Sequence, residues 1–452
     1  MSVFISVPAF AWRRALQRTV TATGRQCERF QDPSPEIGKW SIKRSRISIV
    51  TLLLPFLFLT IATPVSGATI IIDNTSGTPT IARALLYAGD GGTVILQPGI
   101  YYENSITLKN NATISANTSA GCGAGDTIID AQGSGRIFVA DGYSLTIDSL
   151  TMCNGKADHG GAIDMNSGNL NVTSSVFSGC LVDYGGAIFS DSGSTVTVTS
   201  STFANCSAIN CGGAILSGYN STVNVASSTF TNCSAVNSGG AIYIFSGTLN
   251  ATSTAFSGCS ASFYSGGAIY ASSISTVTVT SSSFAGCSAP SRGGAICSYK
   301  DGSMHFSRIY NCSSEAPAVY SHSSFDAKDN WWGTNTDPAG FTEGSVTYDP
   351  WLVLGIVPGS VTVAAGETPV IRADMTHDVN GIETSGSGLL PGGIPVTFDL
   401  AAGSGNISVT GGEIAAGVNG TVFTPAEPGP VTITATVDDQ TVGTFAMVTS
   451  GT

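Results

Sequence analysis

Charge is what this sequence has least of. Asp, Glu, Lys and Arg make up 11% of its 452 residues, against roughly 25% in ordinary soluble domains. Long solvent-facing helices draw on Glu, Lys, Arg and Leu, so the scarcity excludes a helix-rich fold. Basic residues are the rarer sign, 18 against 30 acidic ones. Residues 1–67 hold nine of the basic and three of the acidic residues, leaving nine cations against 27 anions in the remainder. No basic stripe can be assembled from these, which excludes nucleic acid as a partner. Histidine is rare too. His159, His305, His322 and His377 share no spacing that makes a catalytic or metal constellation.

What is abundant is small. The chain has 55 Gly and many Ser and Thr, the composition of short strands joined by tight turns. One apolar run stands apart. Lys43, Arg44 and Arg46 precede residues 47–62, and Val65-Ser66-Gly67-Ala68 follows. A basic segment, a short apolar stretch and small residues at a cleavage point form a secretory signal. Residues 1–67 are therefore expected to be a leader, longer than export needs because of an early start codon. The mature protein is expected to be extracellular or on the cell surface, soluble or tethered by an uncleaved leader.

Internal repetition is the strongest signal. Gly-Gly-Ala-Ile begins at Gly160, Gly185, Gly212, Gly239, Gly266 and Gly293, in steps of 25, 27, 27, 27 and 27. A second mark, Phe-x-x-Cys, falls at Phe177/Cys180, Phe203/Cys206, Phe230/Cys233, Phe256/Cys259 and Phe284/Cys287. Weaker versions flank it at Leu150/Cys153 and Ile309/Cys312. Between the marks lie alternating segments such as Thr195–Thr199, which read as strands with one face buried. A unit this short cannot bury its apolar face alone, so the units must stack as coils. Ile163, Ile188, Ile215, Ile242, Ile269 and Ile296 would then make an inward ladder. The residue before each Cys (Gly179, Asn205, Asn232, Gly258, Gly286, Asn311) would mark a left-handed corner, a rule that Met152 breaks.

Seven of the 11 Cys fall in one row: Cys153, Cys180, Cys206, Cys233, Cys259, Cys287 and Cys312. Their spacing excludes a zinc site, which uses close pairs. An exported protein can form disulfides, but regular stacking favours small buried thiols filling an interior row. Cys206 with Cys211 is the pair placed for an exception.

The ends need covers, because an open stack exposes backbone and apolar cross-section. Thr78-Pro79 before Ile81, Leu85 and Ala88 reads as a capping helix. Irregular coils follow at 93–96, 105–108, 127–129 and 145–147. Trp331, Trp332 and Trp351 supply bulk at the other end. Beyond them Cys, Trp and the repeat marks vanish, and evenly spaced alternating segments fill residues 356–452, the pattern of an immunoglobulin-like sandwich. The expected fold is all-β: a right-handed parallel β-helix with an N-terminal cap helix, then an Ig-like β-sandwich. Its parts are the leader 1–67, cap and irregular coils 68–149, regular repeats 150–320, a closing module 321–355 and the sandwich 356–452.

With those residues laid out, residues 150–320 resemble the polymorphic outer-membrane protein repeat, marked by Gly-Gly-Ala-Ile and Phe-x-x-Asn. Here Cys stands where the second mark of that family has Asn, so its interior Asn stack does not carry over. The segment 93–103 resembles the first coil of pectate-lyase-like β-helices. Asn330-Trp331-Trp332-Gly333 with residues 346–352 is similar to the closing module of archaeal adhesin-like surface proteins. Residues 370–437 resemble an invasin-type Ig-like domain. The resemblance implies a surface β-helix and is specific for fold rather than for ligand.

Two functions follow from this reading. One is a non-enzymatic adhesin-like or envelope protein that binds a polysaccharide or another cell-surface glycoconjugate. The other is a polysaccharide lyase or glycosidase on the same scaffold, which needs clustered carboxylates with a basic residue nearby. Acidic residues are few in the repeats. Asp158 and Asp183 fall one coil apart and could hold Ca²⁺, or else are solvated turn residues; no other cofactor is implied. Asn335-Thr336-Asp337 mimics a polygalacturonase triplet without its companions. The residue after each Ile points outward, so Phe189, Leu216, Tyr243 and Tyr270 are expected to form an exposed apolar strip suited to sugar rings. Eleven Asn-x-Ser/Thr sequons, including Asn171, Asn205, Asn232, Asn250 and Asn311, make the exported chain a candidate glycoprotein.

Overall fold

A computed structural model describes residues 66–75, 80–312, 316–364 and 366–450. The leader up to residue 65, with its apolar run, and Thr78-Pro79 lie outside the described residues. Among the described residues no helix is long and apolar enough to cross a membrane.

Residues 69–347 wind into a parallel β-helix. Every strand of the solenoid pairs in parallel with its counterpart in the next coil. The isoleucine ladder forms as the spacing requires. Ile163, Ile188, Ile215, Ile242, Ile269 and Ile296 pair in succession, are each fully buried, and continue into Phe138 at one end and Val319 at the other. Phe177, Phe203, Phe230, Phe256 and Phe284 stack face to face, with centroid separations of 4.6, 4.7, 5.0 and 4.8 Å.

The paired glycines make the sharpest corner. Gly212 has φ +69, and a Cβ there would run into the Ile215 carbonyl; a Cβ on Gly213 would strike the Gly240 carbonyl of the next coil. One glycine supplies the dihedral and the other the close approach of two backbones. The corner before each Cys is left-handed as expected, with Asn205, Asn232 and Asn311 at φ 53, 51 and 53.

The first regular coil corrects the sequence reading. Met152 pairs with Phe177 and Cys153 with Ser178, so Asn154, at φ 56, is that coil's corner residue. Met152 thus fills the Phe position rather than breaking the corner rule. Gly155 takes the Cys place, and Cys153 stands two residues off the row, only partly buried. The thiol row therefore begins at Cys180 and holds six residues, from there to Cys312, all buried and free. Cys233 donates to the Phe203 carbonyl and Cys259 to the Phe230 carbonyl, both at 3.5 Å. Hydrogen bonding to neighbouring thiols, then burial, holds Cys206 and Cys312 well above the ordinary thiol range. Cys206 and Cys211 form no disulfide.

A further ladder escaped the sequence reading. Two residues before each Phe sits a buried hydroxyl: Ser175, Ser201, Ser228, Thr254 and Ser282. The amide of Ser201 donates to Ser228 Oγ at 3.1 Å, and that hydroxyl donates to the Ala226 carbonyl at 2.8 Å. The row ends on Asn330, which accepts from the Ser307 amide at 2.8 Å. Ser175, Ser201, Ser228 and Ser282 each accept from a backbone amide of the preceding coil that the corner leaves without a ladder partner.

Both ends are covered. The helix Ile81–Ala88 buries Ile81, Ala84, Leu85 and Ala88 on the first coils. Its N-cap is Thr80 rather than Thr78, and Glu103 Oε1 accepts from the Ile81 amide at 2.7 Å. At the far end the adjacent tryptophans part company: Trp332 joins the solenoid core and Trp331 the core of the sandwich. That sandwich packs a four-stranded sheet on a five-stranded one. Its first strand, Leu352–Val357, straddles the expected boundary at 356. The junction is polar and buried. Arg308 pairs with Asp438, their side chains 12% and 2% accessible, and Asp438 also accepts from Trp331 Nε1 at 2.7 Å. Asn335 ties its amide group to the backbone of Leu354, so that residue of the polygalacturonase-like triplet serves the junction.

Candidate functional site

The outward row beside the isoleucine ladder runs in register: Val139, Asp164, Phe189, Leu216, Tyr243, Tyr270, Cys297, Tyr320 and Glu343. It is not the exposed strip that alternation implies. Leu216 is 6% exposed and Cys297 fully buried, while Phe189, Tyr243 and Tyr270 are half-buried. The cause is the glycine corner. It lays the residue before a Gly-Gly pair against the outward residue of the next coil, His159 on Phe189 and Arg292 on Tyr320, so the two rows form the floor and one side of a shallow trough.

The trough's wall is the row His159, Tyr184, Cys211, Ser238, Ser265 and Arg292, bridged between neighbouring coils except at Ser238 and Ser265, where the Gly239 amide donates to the Ser265 carbonyl. His159 stacks on Tyr184 at 5.4 Å and lies 4.7 Å from the Phe189 ring. On the floor, Tyr243 and Tyr270 stack in parallel at 4.9 Å. Their faces meet each other rather than solvent, so any ligand would reach ring edges and hydroxyls. Burial, then the charges of Cys211 and Tyr184, pushes Tyr243 up to about 12. Burial raises Tyr270 and lifts Cys297 to about 12. These groups stay protonated, and the tyrosyl hydroxyls remain donors.

Each end of the trough carries a cation. Arg292 lies 4.5 Å over the Tyr320 ring and donates to Tyr299 Oη at 3.2 Å. At the other end Arg136 forms an ion pair with Asp164, and burial lowers its pKa while the charge of Asp158 raises it. Asp141, Asn166 and Asp191 occupy successive rungs just beyond Asp164 on the same face. Asn166 donates to Asp141 Oδ1 at 3.0 Å, and Asp191 accepts from the Tyr219 amide at 2.5 Å. Sequence reasoning passed over this cluster because Arg136 and Asp141 come from the irregular coils, which carry no repeat mark.

Asp158 and Asp183 do stand on adjacent coils, the Tyr184 amide donating to the Asp158 carbonyl. Asp158 is exposed and Asp183 partly buried. Among the described residues no group of three or more His, Cys, Asp or Glu is placed to hold a metal. His305 hydrogen-bonds the Lys328 carbonyl, and His377 sits between Asp374 and Glu383 in the sandwich. His322 stacks near Tyr299 at 6.0 Å. The sequon residues Asn205, Asn232 and Asn311 at the Cys corner are exposed. Leu181, Ile209, Val236, Phe263 and Tyr264, on the segments between the Cys corner and the wall row, are exposed apolar side chains, 46–64% accessible. Their residue types differ from coil to coil, so no motif marks them.

No family model matches the chain, and no curated protein matches it. The resemblances to surface repeats and to the invasin-type domain therefore rest on the residues quoted for them. Among solved structures, pectin methylesterase from carrot is similar over 62% of this chain and 87% of its own, at 14% identity and TM-score 0.32. The D0-D1 domain of intimin is similar over 22% of this chain, at 17% identity and TM-score 0.17. Domains 4 and 5 of the S-layer protein SbsC are similar over 23%, at 17% identity and TM-score 0.17. The chain spans about half the length of these last two, 48% and 55%.

Proposed function

We propose that this is a non-enzymatic cell-surface protein that holds a carbohydrate chain lengthwise in the trough. One observation carries the reading. Tyr243 and Tyr270 stand half-buried on successive coils, in register along the helix axis, as two neighbouring units of a repeating ligand require. Protonated tyrosyl hydroxyls can donate to and accept from sugar hydroxyls. A rigid solenoid presents that trough away from its attachment point. The test replaces Tyr243 and Tyr270 with Ala and measures retention on immobilised polysaccharides and glycoconjugates. The reading expects retention by the parent and its loss in the double variant; a parent that no glycan retains contradicts it.

A second reading is favoured by the Asp141, Asp164, Asp191 and Arg136 cluster, which puts carboxylates and a cation on one sheet face as a glycosidase or lyase needs. Asp164→Asn would then abolish release of reducing ends or unsaturated sugars from a retained glycan. Release by neither parent nor variant leaves binding as the function.

A further inference from the structure

The second strand of each coil turns its outward side chains onto a face separate from the trough. Strands Asn169–Thr173, Thr195–Thr199, Ser221–Ala226, Gly247–Thr252 and Ser275–Thr280 pair in parallel without a register shift. Over these five coils three outward columns run from Asn169, Asn171 and Thr173 to Thr276, Thr278 and Thr280, with Asp148 and His305 on the next rungs of the third. Of these fifteen positions ten are Thr, four Asn and one Ala226, so none is charged in a chain of net charge −12. Asn250 donates to Asn224 at 2.8 Å, continuing the grid through its amides.

Strand propensity places Thr on any sheet, yet the sheet holding the Phe stack turns outward only Thr202, Thr229 and Thr231, among Ala204, Ala255, Ser257, Ala285, Arg308 and Tyr310. The Thr field is thus a property of one face. Threonine is stiff at χ1, so its hydroxyls inherit the regularity of the backbone. In the first column Thr195, Thr222, Thr248 and Thr276 follow one another about 4.8 Å apart, and on strands Thr195–Thr199 and Ser275–Thr280 all three columns are Thr, about 6.7 Å apart along the strand. The middle column otherwise carries Asn171, Asn224 and Asn250. Both spacings lie close to oxygen repeats on a prism face of hexagonal ice. A protein partner is recognised by apolar anchors or complementary charge, and the field offers neither. An uncharged lattice of water needs only a rigid hydroxyl grid with methyl groups between. We propose that this face binds ice, independently of the trough.

The assay is ice-crystal morphology and recrystallisation in the full chain, using material whose intact mass equals the bare polypeptide, because Asn171 and Asn250 are sequons within the field. The parent is expected to facet the crystals and to lower the growth temperature below the melting point. Thr197→Lys with Thr278→Lys should lose both effects, and Tyr243→Ala should keep them. The near-isosteric pair Thr197→Val and Thr278→Val tests the hydroxyls without inserting charge, and should show a reduced effect at an unchanged circular dichroism spectrum. Round unfaceted crystals with the parent overturn the proposal. So does equal activity in the parent and both double variants, or retention on crystalline chitin or cellulose with no effect on ice.

Discussion

Replacing Phe230 with Ala removes the middle of the ring stack. Phe230 is fully buried, 4.7 Å from Phe203 and 5.0 Å from Phe256. Truncating a buried Phe costs about 3–5 kcal/mol through lost transfer energy and the cavity left behind. Of that, each aromatic contact accounts for about 0.5–1.5 kcal/mol. The neighbouring coils cannot close the gap, because the thiol and hydroxyl ladders on either side hold their spacing. The matched control is Phe189→Ala, a half-buried Phe in the trough, whose loss should cost about 1 kcal/mol by area. Urea unfolding followed by circular dichroism gives both differences. Amide exchange in the same variants should show the added opening concentrated in the coils next to residue 230, as nearest-neighbour coupling requires. A Phe230→Ala cost no larger than that of Phe189→Ala would refute the reasoning, since it would mean that the ring is not locked between coils.

Ser228→Ala should destabilise by about 1–3 kcal/mol, because the Ser201 amide is left buried without its acceptor; the same unfolding assay reads it. Asp438→Ala removes the counter-charge and the acceptor of the mostly buried Arg308 at the junction, at a cost of about 3–5 kcal/mol. The sandwich and solenoid should then melt in two separate transitions by calorimetry. Stability should also fall with alkali. Burial lifts Cys297 to about 12 while the unfolded thiol ionises near 8.5, so its contribution is intact below that pH and fades above it, by about 2 kcal/mol at pH 10. Cys297→Ala should flatten the decline between pH 8 and 10 in a denaturation series.

The coil ladders were legible because one rule repeats. Gly-Gly-Ala-Ile announces a corner and an inward Ile together, and every pairing from Ile163 to Ile296 follows from it. The first coil misled because Cys153 imitates the thiol mark, whereas backbone pairing sets Met152 under Phe177. The trough was half legible. Alternation shows that Tyr243 and Tyr270 point out, but how far they are covered depends on a bend that brings a residue from beyond the glycine pair over each of them. The serine ladder had a signal, a hydroxyl two residues before each Phe, hidden by the general excess of Ser and Thr. The Arg308 and Asp438 pair lies 130 residues apart in sequence, and no local pattern announces it.

Coil stacking is tested most directly by distance. The outward column Thr93, Thr113, Thr146, Asn171, Thr197, Asn224, Asn250, Thr278, Ser303 advances one rung per pairing. Spin labels placed at Thr93 and, in turn, at Thr197, Asn250 or Ser303 should lie about 19, 29 and 38 Å apart, a constant 4.8 Å or so per coil. Separations that fail to grow in proportion to the number of coils would contradict the stacked solenoid.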